Sequence, residues 1–169
     1  ARVDANFASN YLVLQGRAVW SPSAAFASTN QHEKAIEQYQ KAVKLVPNYT
    51  DAMNNLGVAL NQTNRSVEAI KTLRRALDIR PEFSEAHYNL GVVFQKIDQN
   101  DDAFNCYEKA ISIKHAYPQA HNNIGMINLK NRSLEAAVKS FEWAVAYSPN
   151  YVEAHNNLGA AFQELMLYE

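Results

Sequence analysis

Four glycines, Gly57, Gly91, Gly125 and Gly159, stand 34 residues apart. Each lies inside a near-copy of one phrase: AMNNLGVAL, AHYNLGVVF, AHNNIGMIN and AHNNLGAAF. Three alanine columns keep the same step: Ala52, Ala86, Ala120 and Ala154; Ala35, Ala69, Ala103 and Ala137; Ala42, Ala76, Ala110 and Ala144. A large residue recurs at Tyr39, Leu73, Tyr107 and Phe141. Proline recurs at Pro47, Pro81 and Pro149, with His115 in the remaining slot. A period of this size restricts the chain to stacked supersecondary units, because one unit cannot bury its apolar face alone.

The apolar positions around each glycine step by three and four, which is a helical spacing. Glycine inside a helix costs about 1 kcal/mol relative to alanine. A cost repeated four times implies close approach of a second helix backbone, with the small alanines serving the same contact. Proline just past a second helix stops it and stiffens the turn. The expectation is an all-α, right-handed α-solenoid of antiparallel helix pairs with 34-residue repeats. Nine regular helices are expected over residues 33–167, with turns near 48–50, 64–66, 80–84, 98–101, 114–118, 131–134 and 148–151. The division is a degenerate repeat portion (1–32), a second helix (33–49), full repeats (50–83, 84–117 and 118–151) and a terminal first helix (152–169).

The two ends depart from the pattern. Projected backward, residues 1–14 are in phase with a second helix and 18–30 with a first helix. Pro22 and Ser23 fill the Leu-Gly slots, so Ser21 is expected to cap a shorter helix with Pro22 in its first turn. At the other end, an outward face of Ala160, Ala161 and Leu165 is expected, which is apolar for a cap and favours a fragment of a longer array.

These columns resemble the tetratricopeptide repeat family, over Ser66 to Glu169 and, nearly as well, Glu33 to Arg65. The family's frequent tryptophan is replaced by Met53, His87, His121 and His155. Its first-helix aromatic is Leu60, Phe94, Asn128 and Phe162, and Asn128 is expected to loosen packing in its repeat. The resemblance implies that the first helices line a concave surface and that the chain recognises protein.

Little in the chain carries chemistry. It has 169 residues, 47% apolar and 20% charged, enough to fold around a core. The formal net charge of −1 argues against nucleic-acid binding. The single Cys106 excludes an intrachain disulfide and sits beside no recognisable base. His87, His121 and His155 form a ladder whose pitch, set by helices about 8–10 Å apart or more, does not converge on a metal. No phosphate loop, nucleophile elbow or zinc-binding helix motif occurs. Neither enzyme activity nor a cofactor or metal is expected. No apolar run approaches the roughly 20 residues of a membrane span, and no signal-peptide pattern opens the chain, so a cytoplasmic location is favoured.

The asparagines are the candidate site. Asn55, Asn89, Asn123 and Asn157 precede the glycines by two residues, and Asn54, Tyr88, Asn122 and Asn156 stand beside them. An amide offers both donor and acceptor and can clamp an extended peptide backbone without reading its sequence. The same amides can instead bond neighbouring helices. The ladder resembles the repeat region of O-linked N-acetylglucosamine transferases. A carboxylate clamp for acidic chaperone tails is disfavoured, because the relevant slots are Asp51, Glu85, Gln119 and Glu153. Four sequons begin at Asn48, Asn61, Asn64 and Asn131; turn-forming asparagine and serine produce such triplets by accident. The expected function is a non-catalytic scaffold or adaptor that binds an extended protein segment. The alternatives are the substrate-recruiting region of a larger glycosyltransferase and a self-assembling array. Weak self-association through 152–169 is also expected.

Overall fold

A computed structural model describes residues 32–167. They form eight helices and, among the described residues, no strand: α1 (His32–Leu45), α2 (Thr50–Gln62), α3 (Ser66–Ile79), α4 (Ser84–Lys96), α5 (Asn100–Ile113), α6 (Pro118–Lys130), α7 (Leu134–Tyr147) and α8 (Val152–Met166). The count of nine is corrected: seven turns separate eight helices, and the turns fall within two residues of their expected places. The expectations for the first repeat portion, including Ser21 and Pro22, lie outside the described residues. The chain divides into two compact units, one ending at Pro81 and one beginning at Glu82.

In the first unit, α2 packs on α3. Gly57 is buried, and a Cβ added there would lie 2.5 Å from Cγ of Leu73, itself fully buried. In the second unit the same notch occurs twice. A Cβ on Gly91 would lie 2.6 Å from Cε1 of Tyr107, and one on Gly125 would lie 2.5 Å from Cε1 of Phe141. Both rings are fully buried and cannot swing aside. The alanine columns serve the same contact: Ala69, Ala103 and Ala137, then Ala76, Ala110 and Ala144, have no exposed surface. Asn128 does not widen its notch; its amide reaches Oγ of Ser140 at 3.5 Å, and Gly125 meets Phe141 as closely as the other pairs meet.

Two further columns hold the helix ends. Asn64, Asp98 and Arg132 have φ of 61°, 62° and 61°. Each closes a first helix in the left-handed conformation, and the next residue's N–H returns to the carbonyl of Leu60, Phe94 or Asn128 at 2.9 Å. Asn and Asp tolerate that conformation best, and Arg132 adopts it at a cost. The aromatic column Tyr49, Phe83, Tyr117 and Tyr151 precedes each first helix, where its carbonyls accept the N–H of Met53, His87, His121 and His155 at 3.1 Å. Pro47, Pro81 and Pro149 follow α1, α3 and α7, with His115 after α5.

The face assigned to the last helix needs correction. Ala161 is fully buried against Ala137, Val138 and Phe141, with Leu158 and Leu165 packed on the same cluster. Residues 154, 158, 161 and 165 step by three and four, so they share the face turned to α7. The exposed face instead carries Ala160, Gly159, Phe162 and Met166. A Cβ on Gly159 would have nothing within 4 Å.

That contrast separates two kinds of glycine. Gly91→Leu should destabilise the chain by at least about 1–3 kcal/mol through overpacking. Gly159→Ala should stabilise it by up to about 1 kcal/mol, because the helix gains propensity and nothing is displaced. Denaturant melts of the two variants check both signs.

Candidate functional site

The candidate amides lie on the first helices of the repeats, and the two units contribute separately. In the first unit, Asn54 is buried and Asn55 half-buried on α2, with Asn54 Nδ2 donating to Asn55 Oδ1 at 3.5 Å. In the second unit, Tyr88 and Asn89 stand half-buried on α4. Asn122 is fully buried on α6, and Asn123 beside it is half-buried. Asn156 is exposed on α8 and Asn157 half-buried.

The structure brings several of these together. Asn157 Nδ2 donates to Asn122 Oδ1 at 3.0 Å, and Asn122 Nδ2 reaches Glu153 Oε1 at 3.5 Å. A chain of two amides and a carboxylate therefore links α6 to α8. A buried amide without partners would cost several kcal/mol at most and about 1–3 in typical protein contexts, so this pairing stabilises the helix stack. The Asn123 amide lies beside the phenols of both Tyr88 and Tyr107. Tyr88 in turn stacks on Tyr117, with ring centroids 4.9 Å apart, and meets Tyr107 at 5.6 Å. The hydroxyl of Tyr107 donates to Oε1 of Gln95 at 2.7 Å. Lys114 sits 5.0 Å from the centre of the Tyr117 ring and 3.9 Å from the Glu85 carboxylate. The face thus combines amides, a tyrosine cluster and acidic side chains at the helix starts.

The histidine column has a local structural job that sequence spacing did not reveal. His121 Nε2–H donates to the carbonyl of His115 at 3.0 Å, and His155 Nε2–H to that of Pro149 at 2.9 Å. Each imidazole ties a first helix to the connection before it. Burial pushes the pKa of His121 down, which keeps it neutral. Among the described residues no group of three or more His, Cys, Asp or Glu is placed to hold a metal. No helix among them is long and apolar enough to cross a membrane.

A family model described as "TPR repeat" matches residues 24–64, 59–98 and 133–165, and one described as "Tetratricopeptide repeat" matches 84–117. Among solved structures, one titled "Crystal structure of MamA" superposes with a TM-score of 0.74 at 22% identity, covering 85% of this chain and 84% of that one. The first TPR of Spaghetti (RPAP3) bound to an HSP90 peptide gives 0.67 at 21%, over 69% and 93%. YrrB, described as a TPR protein with an unusual peptide-binding site, gives 0.66 at 23%, over 85% and 74%. Likeness at these identities carries the fold. No curated protein matches this chain.

The tyrosine cluster makes stability sensitive to alkali. Burial raises the pKa of Tyr88, Tyr107, Tyr117 and Tyr151, that of Tyr151 to about 12. A raised pKa means the folded state holds the proton more tightly than the unfolded chain does. The contribution is complete below the ordinary tyrosine value of about 10 and is lost as pH rises through the folded values. The melting temperature should therefore fall between about pH 10 and pH 12, and less steeply in Tyr117→Phe, as read by circular dichroism.

Proposed function

The chain belongs to the tetratricopeptide repeat family, and on that premise we propose that it is a non-catalytic protein-interaction module whose first-helix face binds an extended protein segment. The observation that carries this reading is the pairing of roles among the asparagines. Asn122 and Asn157 hold each other across α6 and α8. This holds α6 and α8 together, the helices on which Asn123 and Asn156 stand. In the first unit Asn54 and Asn55 present the same pair of amides. Each side-chain amide offers one donor group and one acceptor, the two groups that an extended backbone presents in alternation. Acidic side chains at the helix starts, Glu85 and Glu153, suit a neutral or basic segment and oppose a carboxylate-rich tail. Two of the solved structures with this fold are described as binding peptides, which supports the class of partner.

The test begins with peptides selected by display on the immobilised chain. Asn89→Ala combined with Asn123→Ala should weaken a selected peptide about fivefold or more, at about 0.5–1.5 kcal/mol per lost hydrogen bond. The melting temperature should stay nearly unchanged. A double variant that melts early, yet binds normally while folded, contradicts the reading and makes the amides structural.

A second reading concerns self-association, and the exposed face of α8 favours it. Phe162 is 43% exposed and Met166 77% exposed beside the uncovered Gly159. In the repeats before it, the equivalent glycine is covered by a bulky side chain of the next helix. A second copy packing there would cover the same notch, weakly and reversibly. Sedimentation should show concentration-dependent association that Phe162→Glu abolishes. A strict monomer at high concentration rules this reading out.

A further inference from the structure

The amides of the second unit share their face with carboxylates. Glu85, Tyr88 and Asn89 of α4 are spaced by three and four residues, and so are Glu153, Asn156 and Asn157 of α8. That spacing sets a carboxylate one helical turn before each pair, on the same side of the helix. In α6 the same slot holds Gln119, which has no charge.

The repeats themselves show what such carboxylates take. In the first unit, Arg80 Nη2 donates to Asp51 Oδ1 at 3.1 Å, from 29 residues further along the chain. In the second unit, Lys114 comes equally far after Glu85. Its ammonium lies 3.9 Å from the Glu85 carboxylate and 5.0 Å from the centre of the Tyr117 ring. Gln119 meets Ser148 in that register, so the acid and the cation are lost together. Glu153 keeps its charge and forms no ion pair among the described residues. Its neighbours are neutral. Asn122 Nδ2 reaches Oε1 at 3.5 Å, and the phenols of Tyr88 and Tyr151 lie beside it. Asn122 stands on α6 and Tyr88 on α4, so the exposed Glu153 carboxylate leans from α8 back across the face that carries the amides.

A segment lying on that face covers this carboxylate and takes it out of water. A covered charge without a counter-charge costs far more than a hydrogen bond to a neutral amide returns. Resting on the reading of this face as a peptide site, we infer that the bound segment presents a lysine or arginine side chain to Glu153, which makes Glu153 the residue that selects the partner. Arg80 and Lys114 show that either cation fits a carboxylate in this slot. The aromatic half of the arrangement is present as well. Tyr151 is Tyr117 displaced by one repeat, and Tyr117 is the ring over which the Lys114 ammonium stands. Glu85 does not select in this way, because Lys114 already stands against it.

The probe is a library of random peptides of about 12 residues, displayed on phage and selected on the immobilised full chain; selected peptides are then synthesised and titrated by fluorescence anisotropy. The selected peptides should share a lysine or arginine at one position. Alanine at that position should weaken binding to the parent chain about fivefold or more, and should change binding to Glu153→Gln less than about twofold. Glu153→Gln keeps an oxygen for Asn122 Nδ2, so its melting temperature should match the parent. The reversed pair gives an independent reading: a peptide with glutamate in place of its basic residue should bind Glu153→Lys at least about fivefold more tightly than it binds the parent. Glu135→Gln, which removes a carboxylate from α7 instead, should bind as the parent does. Selected peptides without a common basic residue overturn the inference, and so does an equal loss on the parent and Glu153→Gln chains. Either result leaves the amide reading standing if Asn89→Ala/Asn123→Ala still weakens binding. Coupling to Glu153 with full binding by that double variant supports the inference and removes the amides instead. Failure to select any peptide overturns both.

Discussion

The structure depends on a missing atom repeated every 34 residues. At Gly57, Gly91 and Gly125 the absent Cβ lets a leucine, tyrosine or phenylalanine of the next helix sit against the helix backbone. The glycine costs each helix about 1 kcal/mol of propensity. Burial of the facing side chain, worth about 1.5–3 kcal/mol for a residue of this size, offsets it. The contact also fixes how closely the two helices approach, and the fully buried alanines above and below it follow from that spacing. Stability is accordingly built pair by pair, as expected for a solenoid in which each repeat answers only to its neighbours.

A scaffold held together on one side of its first helices leaves their other side available. There the sequence places asparagines in phase, and the structure gives them different surroundings. Asn122 and Asn157 bond one another and stabilise the stack, while Asn156 stays exposed. The second helices are freer still, since their outer positions take Lys41, Arg75, Lys109 or Trp143 without disturbing the core. Such tolerance lets one repeat acquire a surface that the others lack. The half-exposed Trp143 of α7 is a departure of that kind.

The fold was legible because periodicity speaks directly to it. The glycine, alanine and bulky columns named the helix pairs, and the prolines marked where second helices stop. Two further columns are equally regular in the structure. Asn64, Asp98 and Arg132 share a left-handed backbone but not a residue type, so identity conceals what conformation repeats. Tyr49, Phe83, Tyr117 and Tyr151 are visibly aromatic at the same spacing and could have been found. The outward face of α8 is not legible from sequence order, because Ala160 and Ala161 are adjacent and one helical step sends them to opposite fates. For the candidate site, the sequence located the amides but not their partners. In-phase positions are equivalent by construction, and only the facing helix decides that Asn122 is satisfied internally and Asn156 is not.

A double-mutant cycle on Gly91 and Tyr107 tests the dependence on the glycine notch most directly. Gly91→Ala should destabilise the parent chain by about 1–3 kcal/mol, because its Cβ meets a buried ring. In a Tyr107→Ala background the ring is gone, and the same substitution should become neutral or stabilising, giving a coupling of at least about 1 kcal/mol. Additive effects, within about 0.5 kcal/mol, would show that the glycine and the ring act independently and would contradict the account.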